Sequence, residues 1–252
     1  MRKFALFLTI FFGAAFLFGG CTPPTDNLTT ESSDGLPAQT DGSPAPVESS
    51  SDHSTIAETP PLRLTDDPDA IDRIAGSVVK LEIYDEKDRK IGTGSAFAAF
   101  DPAVLVTAAH VIVNMKYALV TTESGSGFRI ERAIDGDLDS DVALLALPED
   151  AGLRPLAVSE AEPRRGETVV AIGSQFGKMN LVTTGTFAGV WEFPEARMFV
   201  FTAPVASGNS GGPLLNERGE VIGIVSGTYE KGQNLNFASP IEKAGEIYRK
   251  SY

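Results

Sequence analysis

Residues Ser207–Leu214 read SGNSGGPL, with Ser210 set among glycines. Glycine lacks a Cβ, so the backbone around Ser210 can turn tightly and leave room for another chain. A serine nucleophile requires an exposed hydroxyl and nearby backbone N–H groups that stabilise the developing oxyanion. The stretch is therefore typical of a reactive serine at Ser210, and an ordinary glycine-rich turn with a polar serine is the alternative.

The one histidine of the predicted folded domain is His110, in the stretch Thr107–Ile112, which reads TAAHVI. It follows the strand-like residues Val104–Val106, and the two small alanines before it let the chain turn closely and present an imidazole at the strand end. A single histidine is more often structural or on the surface. The other histidine, His53, lies in the polar N-terminal region, so His110 is the imidazole available as a base for Ser210.

The stretch Asp139–Leu147 reads DSDVALLAL and places two acidic residues before an apolar run. Burial of a carboxylate is unfavourable unless the carboxylate is paired, and a histidine N–H is a suitable partner. Asp141 directly precedes the buried-looking residues, so we prefer it to Asp139 as the partner of His110. A turn aspartate without such a role is the alternative.

Short stretches rich in Val, Ile, Thr and Phe occur between residues 78 and 238 and are bounded by Gly, Pro, Asp and Asn. This pattern predicts β-strands, and two groups of about six strands suggest two packed barrels. We predict an all-β fold of two six-stranded antiparallel β-barrels, at about 77–157 and 166–240, with a short C-terminal helix over 240–250. The predicted strands are Val78–Tyr84, Gly92–Phe100, Val104–Thr107, Tyr117–Thr122, Phe128–Asp135, Val142–Leu147, Thr168–Gly173, Leu181–Trp191, Met198–Thr202, Pro213–Asn216, Val221–Ser226 and Leu235–Ala238.

Residues 1–20 have the features of an export signal. Arg2 and Lys3 precede an apolar run from Phe4 to Phe18. The run is short for a membrane span, which needs about 20 residues, but an uncleaved anchor competes with a signal removed before Cys21. The stretch Leu17–Cys21 resembles the lipobox of bacterial lipoproteins. That resemblance implies lipidation of Cys21 and a lipid anchor in a bacterial membrane, with the protein exported to the periplasm or the cell surface.

Residues 21–68 are rich in Ser, Thr, Pro and acidic residues. Between Thr22 and Asp72 there are eleven acidic residues and one basic residue, Arg63. Such a segment cannot bury enough apolar surface to offset the entropy lost on ordering. We therefore predict a disordered acidic tether over 21–68 and one folded domain over 69–252, which begins with a short helix near Ala70.

The composition excludes several classes of function. A net charge of −13 does not provide the basic face that phosphates require, so we expect no nucleic-acid partner. Cys21 is the only cysteine, so no intrachain disulfide can form. The sequence contains neither a His/Cys cluster nor a phosphate-binding glycine loop that leads into a helix with lysine, and we expect no metal and no cofactor.

The order His110, Asp141, Ser210 matches that of chymotrypsin-like (trypsin-like) serine proteases and differs from the subtilisin and α/β-hydrolase orders. The flanking residues resemble the HtrA (DegP-like) branch of that clan, and the resemblance extends over about residues 78–247. The resemblance covers the protease domain only, and the sequence departs from the branch in that we expect no PDZ domain. The similar stretches are Gly92–Phe97, Ala171–Gly177, Val182–Gly185, Gly208–Leu215, Gly219–Ile224 and Asn236–Ile241.

This resemblance implies a serine endopeptidase. Ser210 would attack the scissile carbonyl, His110 would accept and then donate the proton, and Asp141 would hold the imidazole in the required tautomer. The backbone N–H groups of Gly208 and Ser210 would form the oxyanion hole.

The same resemblance implies roles for three residues of a later strand. Ser226 would support the catalytic aspartate, and Gly227 and Thr228 would lie along an edge that binds the substrate as an added strand. The expected substrates are unfolded or extended polypeptides of the cell envelope, with a role in protein quality control. Relatives of this branch often form trimers, so a homotrimer is expected by resemblance.

Two other classes of function compete with the enzyme. The first is a catalytically silent module that holds extended peptides in the same cleft, and the second is a structural envelope lipoprotein that binds no peptide. An intact set of His110, Asp141 and Ser210 argues against both, because neither function requires all three residues.

Overall fold

The protein is described by a computed structural model that covers residues 63–148, 151–178, 180–229 and 234–252. The predicted signal peptide, Cys21 and most of the predicted tether lie outside the described residues. No helix within the described ranges is long and apolar enough to cross a membrane. The elements are α1 (Pro68–Ala75), β1 (Val78–Tyr84), β2 (Lys90–Ala98), β3 (Val104–Thr107), β4 (Tyr117–Thr121), β5 (Gly127–Ile130), β6 (Ala133–Asp137), β7 (Val142–Ala146), β8 (Thr168–Gly173), β9 (Leu181–Glu192), β10 (Arg197–Phe201), β11 (Pro213–Leu215), β12 (Val221–Thr228), β13 (Asn236–Pro240) and α2 (Ile241–Ser251).

The first seven strands form one antiparallel sheet in the order β5-β4-β1-β2-β3-β7-β6. It has seven strands where six were predicted, because the predicted strand Phe128–Asp135 is divided. Its first part, β5, pairs with β4, and its second part, β6, pairs with β7. The segment is interrupted at residues 131–132, and its two parts form the two edge strands of the sheet. In the predicted barrel a single strand would occupy this place.

The last six strands form a closed barrel in the order β10-β13-β12-β11-β8-β9, and the ladder between β9 and β10 completes the ring. Its interior contains aromatic side chains, and the rings of Phe187 and Phe199 meet edge to face at 5.2 Å between centroids. The prediction of an all-β fold with two β units and a C-terminal helix is confirmed.

One hydrophobic cluster joins the two β units. Phe97 of β2 and Ile172 of β8 are fully buried in it, together with Leu144 of β7 and Ile224 of β12. Helix α2 packs its buried face against the same cluster through Ala244 and its neighbours. Burial of each large side chain stabilises the fold by roughly 1.5–3 kcal/mol, so the junction between the units is a packed core that can hold groups from both in register.

The folded domain begins before the predicted boundary at residue 68. Leu64 is 4% exposed and belongs to the hydrophobic cluster that joins the two β units. Its backbone N–H donates to the carbonyl of Glu217 at 2.7 Å. Asp67 caps α1 by accepting from the N–H of Ala70 at 2.9 Å. The boundary was placed too late because the acidic residues around Leu64 resemble the tether in composition, whereas one buried leucine attaches this segment to the core.

Candidate active site

His110 and Asp141 are in direct contact because they follow and precede neighbouring strands. His110 lies in a 3-10 turn after β3, and Asp141 lies one residue before β7. The ring Nδ1 of His110 is 2.9 and 2.8 Å from the two carboxylate oxygens, and the backbone N–H of His110 donates to Oδ1 at 2.9 Å. An ionised carboxylate has only acceptors, so Nδ1 carries the proton and Nε2 is the basic atom of the ring.

Asp141 is held in an unusual backbone conformation. Its φ is 56°, a left-handed value that aspartate adopts more readily than most residues. Its side chain is only 13% exposed and faces His110. Asp139 is exposed, and its backbone N–H donates to the carboxylate of Asp137. The structure therefore places Asp141 against the imidazole and Asp139 at the surface.

Ser210 is attached to the first sheet through its own backbone. Its carbonyl accepts from the N–H of Ser95 in β2 at 2.8 Å. The next residue, Gly211, has a φ of 86° and lies so close to the hydroxyl of Thr107 that a Cβ would overlap it. Thr107 ends β3, the strand that leads to His110. These contacts therefore hold the loop of residues 206–212, here called the nucleophile loop, at a fixed position relative to the imidazole.

Gly208 occupies a position that only glycine can fill. Its φ is 101°, and a Cβ there would overlap the carbonyl oxygen of Ser174. The N–H of Phe176 donates to the carbonyl of Ser207 at 2.9 Å. In a trans peptide the N–H points away from the C=O, so this bond directs the N–H of Gly208 to the opposite side.

The N–H of Ser210 is oriented in the same way, because the carbonyl of Asn209 accepts from the N–H of Gly212 at 2.8 Å. Within the described residues, no oxygen accepts a hydrogen bond from the N–H of Gly208 or of Ser210. Two oriented donors without an acceptor, beside a serine hydroxyl, can stabilise an oxyanion.

Ser226 connects the second barrel to the aspartate indirectly. Its Oγ lies 3.1 Å from Oγ of Ser239, and Ser239 donates to the carbonyl of Ser140 at 2.6 Å. Each hydroxyl has one proton, so Ser226 is the donor to Ser239. The support that was predicted for Asp141 thus runs through Ser239 and the backbone of the residue before the aspartate.

The end of β12 has an open edge beside the nucleophile. β11 pairs with β12 between Val221 and Ile224, whereas β13 follows β12 as far as Thr228. Beyond the end of the ladder between β11 and β12, Gly227 is partly exposed and Thr228 is exposed, and their side of β12 that faces away from β13 has no strand partner among the described residues. The hydroxyl of Ser210 donates to the carbonyl of Ser226 at 3.1 Å, so the nucleophile lies at the start of this edge.

Comparison with known proteins agrees with this geometry. The family model described as "Trypsin-like peptidase domain" matches residues 92–224, which include His110, Asp141 and Ser210. The chain belongs to the trypsin-like peptidase family. It is similar to serine protease HTRA1A of Danio rerio, with 34% identity over 198 residues that cover 73% of this chain and 41% of that protein.

Two solved protease structures resemble this trypsin-like peptidase domain as well. The serine endoprotease from Yersinia pestis superposes with a TM-score of 0.64 at 26% identity, over 72% of this chain and 65% of that one. The HtrA-type protease AlgW with tripeptide gives 0.65 at 25% identity, over 71% of this chain and 61% of that one. The predicted resemblance to the HtrA branch is confirmed, and the chain spans about two fifths of the length of the curated relative.

Sequence reasoning assigned no role to two buried serines that the structure places at the site. Ser239 lies in the fully buried strand β13 and links Ser226 to Ser140. Ser95 lies in the buried half of β2, and its hydroxyl donates to the carbonyl of Gly208 at 2.7 Å. A hydroxyl in a buried stretch of strand must find a partner there, so a serine within an otherwise apolar strand pattern is the signal by which both could have been found.

Proposed function

We propose that this protein is a serine endopeptidase with Ser210 as the nucleophile, His110 as the base and acid, and Asp141 as the group that orients the imidazole. The observation that carries the proposal is the contact of both Asp141 carboxylate oxygens with Nδ1 of His110, at a junction that also holds Ser210. Membership of a peptidase family supports the same reaction class.

The reaction follows from the positions of the protons. Before attack, the proton that Ser210 donates to Ser226 must pass to Nε2 of His110, so the hydroxyl has to turn away from that carbonyl. Ser210 Oγ then bonds to the scissile carbon, and the oxyanion is held by the N–H groups of Gly208 and Ser210. His110 donates its proton to the leaving amine as the C–N bond breaks. A water molecule next attacks the acyl carbon and gives a proton to His110. The ester bond to Ser210 Oγ then breaks, His110 returns the proton to Oγ, and the new carboxyl end of the peptide leaves.

The open edge of β12 indicates the substrate class. A polypeptide in extended conformation can pair with the backbone of Gly227 and Thr228 and bring a peptide bond to Ser210. A folded domain does not present a free extended segment of this kind, so we expect unfolded or extended polypeptides to be the substrates. The tripeptide named for the similar AlgW structure is consistent with this preference.

Digestion of two protein substrates tests the proposal. The full chain, purified in detergent, is incubated with fluorescein-labelled casein, which is unfolded, and with native green fluorescent protein as the folded control. We expect internal cleavage of casein, seen by mass spectrometry, and no cleavage of the folded control. Casein that binds without cleavage would favour the peptide-holding module, and release of terminal residues alone would contradict an endopeptidase.

The location in the cell is a separate part of the proposal. The apolar run at residues 4–18 and the lipobox-like stretch before Cys21 support export and a lipid anchor, with envelope proteins as substrates and quality control as the role. A homotrimer stays a prediction by resemblance to the HtrA branch.

Replacement of the anchor cysteine, Cys21→Ser, is expected to release the protein from membranes, because lipid transfer requires the thiol. The measurement is the fraction of protein that sediments with membranes after cell disruption, and it should fall from nearly all to a small part. Replacement of a nearby residue of similar size, Thr22→Ser, is the control. Unchanged sedimentation of the Cys21 variant would show that the apolar run is an uncleaved anchor or that another contact holds the protein at the membrane.

A further inference from the structure

The hydroxyl of Ser95 lies between the two β units and makes one hydrogen bond to the loop that carries Ser210 and one to the segment that follows β8. It donates to the carbonyl of Gly208 at 2.7 Å and accepts from the N–H of Ser174 at 2.9 Å. Ser95 is fully buried. Its single proton is therefore committed to Gly208, and the bond from Ser174 fixes the direction of that proton.

The peptide group between Gly208 and Asn209, whose carbonyl Ser95 bonds, lies between the two oxyanion donors, the N–H groups of Gly208 and Ser210. Its carbonyl end belongs to Gly208 and is held by Ser95, and its N–H end belongs to Asn209 and donates to Ala206 at 3.0 Å. Glycine opposes rotation of this peptide only weakly. The angle between the N–H groups of Gly208 and Ser210 therefore depends on the hydrogen bonds that hold the peptide between them.

The backbone of Ser95 contacts the two segments that carry Ser210 and His110. Its N–H donates to the carbonyl of Ser210 at 2.8 Å, and its carbonyl accepts from the hydroxyl of Thr107 at 2.8 Å. Thr107 ends the strand before His110. Ser95 thus contributes to the relative positions of the nucleophile loop, Ser210 and the strand that leads to His110.

Within the described residues, no second side chain makes a comparable bond to this loop. Ser95 is the one side chain there that donates to the backbone of residues 206–212. The side-chain amide of Asn209, buried beneath the loop, makes no hydrogen bond within the described residues. Loss of the Ser95 hydroxyl would leave the carbonyl of Gly208 and the N–H of Ser174 unpaired in the interior, which favours rearrangement of the loop.

We propose that Ser95 is a positioning residue of the oxyanion hole, which acts by holding the peptide between Gly208 and Asn209. The proposal rests on the proposed endopeptidase function. Substrate binding along β12 does not involve the peptide group between Gly208 and Asn209, whereas stabilisation of the oxyanion depends on it. A change at Ser95 therefore lowers kcat and leaves KM nearly unchanged.

Kinetics of the full chain in detergent test the catalytic part, with Ser95→Ala and the near-isosteric Ser95→Cys. Ser77→Ala is the control for loss of a buried hydroxyl, because Ser77 is a buried serine in the turn before β1. We expect kcat to fall about 10- to 100-fold in Ser95→Ala, less in Ser95→Cys and not at all in Ser77→Ala. Affinity for a peptide boronate, whose tetrahedral adduct with the serine occupies the oxyanion hole, should fall in parallel with kcat/KM. An unchanged kcat for Ser95→Ala would overturn the proposal.

Amide hydrogen exchange tests the structural part without the need for turnover. We expect Ser95→Ala to accelerate exchange at the N–H of Asn209 at least tenfold, and Ser77→Ala to leave it unchanged. Slow exchange in Ser95→Ala would overturn the proposal even in an active enzyme. If the unaltered chain cleaves nothing, the endopeptidase function fails, and the exchange result still decides whether Ser95 holds this loop.

Discussion

The substitution Ser210→Ala is expected to abolish peptide hydrolysis, with kcat lowered by about 10⁶-fold, as for removal of the nucleophile in other serine proteases. It removes only the oxygen that forms the covalent bond. Among the residues that the structure describes, the hydroxyl makes one hydrogen bond, to the carbonyl of Ser226, which is worth about 0.5–1.5 kcal/mol. The free energy of unfolding should therefore change by no more than about 1.5 kcal/mol.

The matched control is Ser207→Ala, because Ser207 is an exposed serine of the same loop. Labelling with a fluorophosphonate probe and cleavage of casein should both persist in this control and disappear in Ser210→Ala. Circular dichroism and thermal unfolding should be the same for the two variants. Hydrolysis that continues in the Ser210 variant would exclude the serine mechanism.

The substitution Asp141→Asn is expected to lower kcat by about 10⁴-fold, with little change in KM. If the amide oxygen accepts the backbone N–H of His110, the amide NH₂ faces Nδ1. Nδ1 then has to be an acceptor, which moves the ring proton to Nε2. A protonated Nε2 cannot accept the proton of Ser210, so the nucleophile is not activated.

The control for this change is Asp139→Asn, which removes the same charge two residues away at an exposed position. Steady-state kinetics at neutral pH should distinguish the two variants by several orders of magnitude in kcat. Equal losses in both variants would mean that charge near the site matters and the contact with His110 does not. Full activity of Asp141→Asn would remove Asp141 from the mechanism.

Much of the fold could be predicted because its signals are local. Strand patterns depend on residues two apart, and the glycines near Ser210 mark a turn whatever they pack against. The division of residues 127–137 into β5 and β6 could not be predicted, because the two halves pair with strands on opposite edges of the sheet. The start of the domain was missed for a similar reason, since the burial of Leu64 depends on a core formed by distant residues.

Some residues of the candidate site could likewise be predicted from local sequence, and the choice of others depended on the tertiary structure. His110 and Ser210 are recognisable from their immediate neighbours, whereas the choice of Asp141 over Asp139 rested on one adjoining apolar run. The geometry was settled by a turn with left-handed backbone that directs one carboxylate to the imidazole and leaves the other in solvent.

By itself, the sequence determined the all-β class, the C-terminal helix and the identity of the three residues proposed for catalysis. Only the tertiary structure decided how these residues are held. The bond between Ser95 and Gly208 joins positions 113 residues apart, and the link from Ser239 to Ser140 spans 99. A buried hydroxyl has no partner until two distant segments pack together, so its role is absent from any local pattern and is fixed by the packing of the two β units.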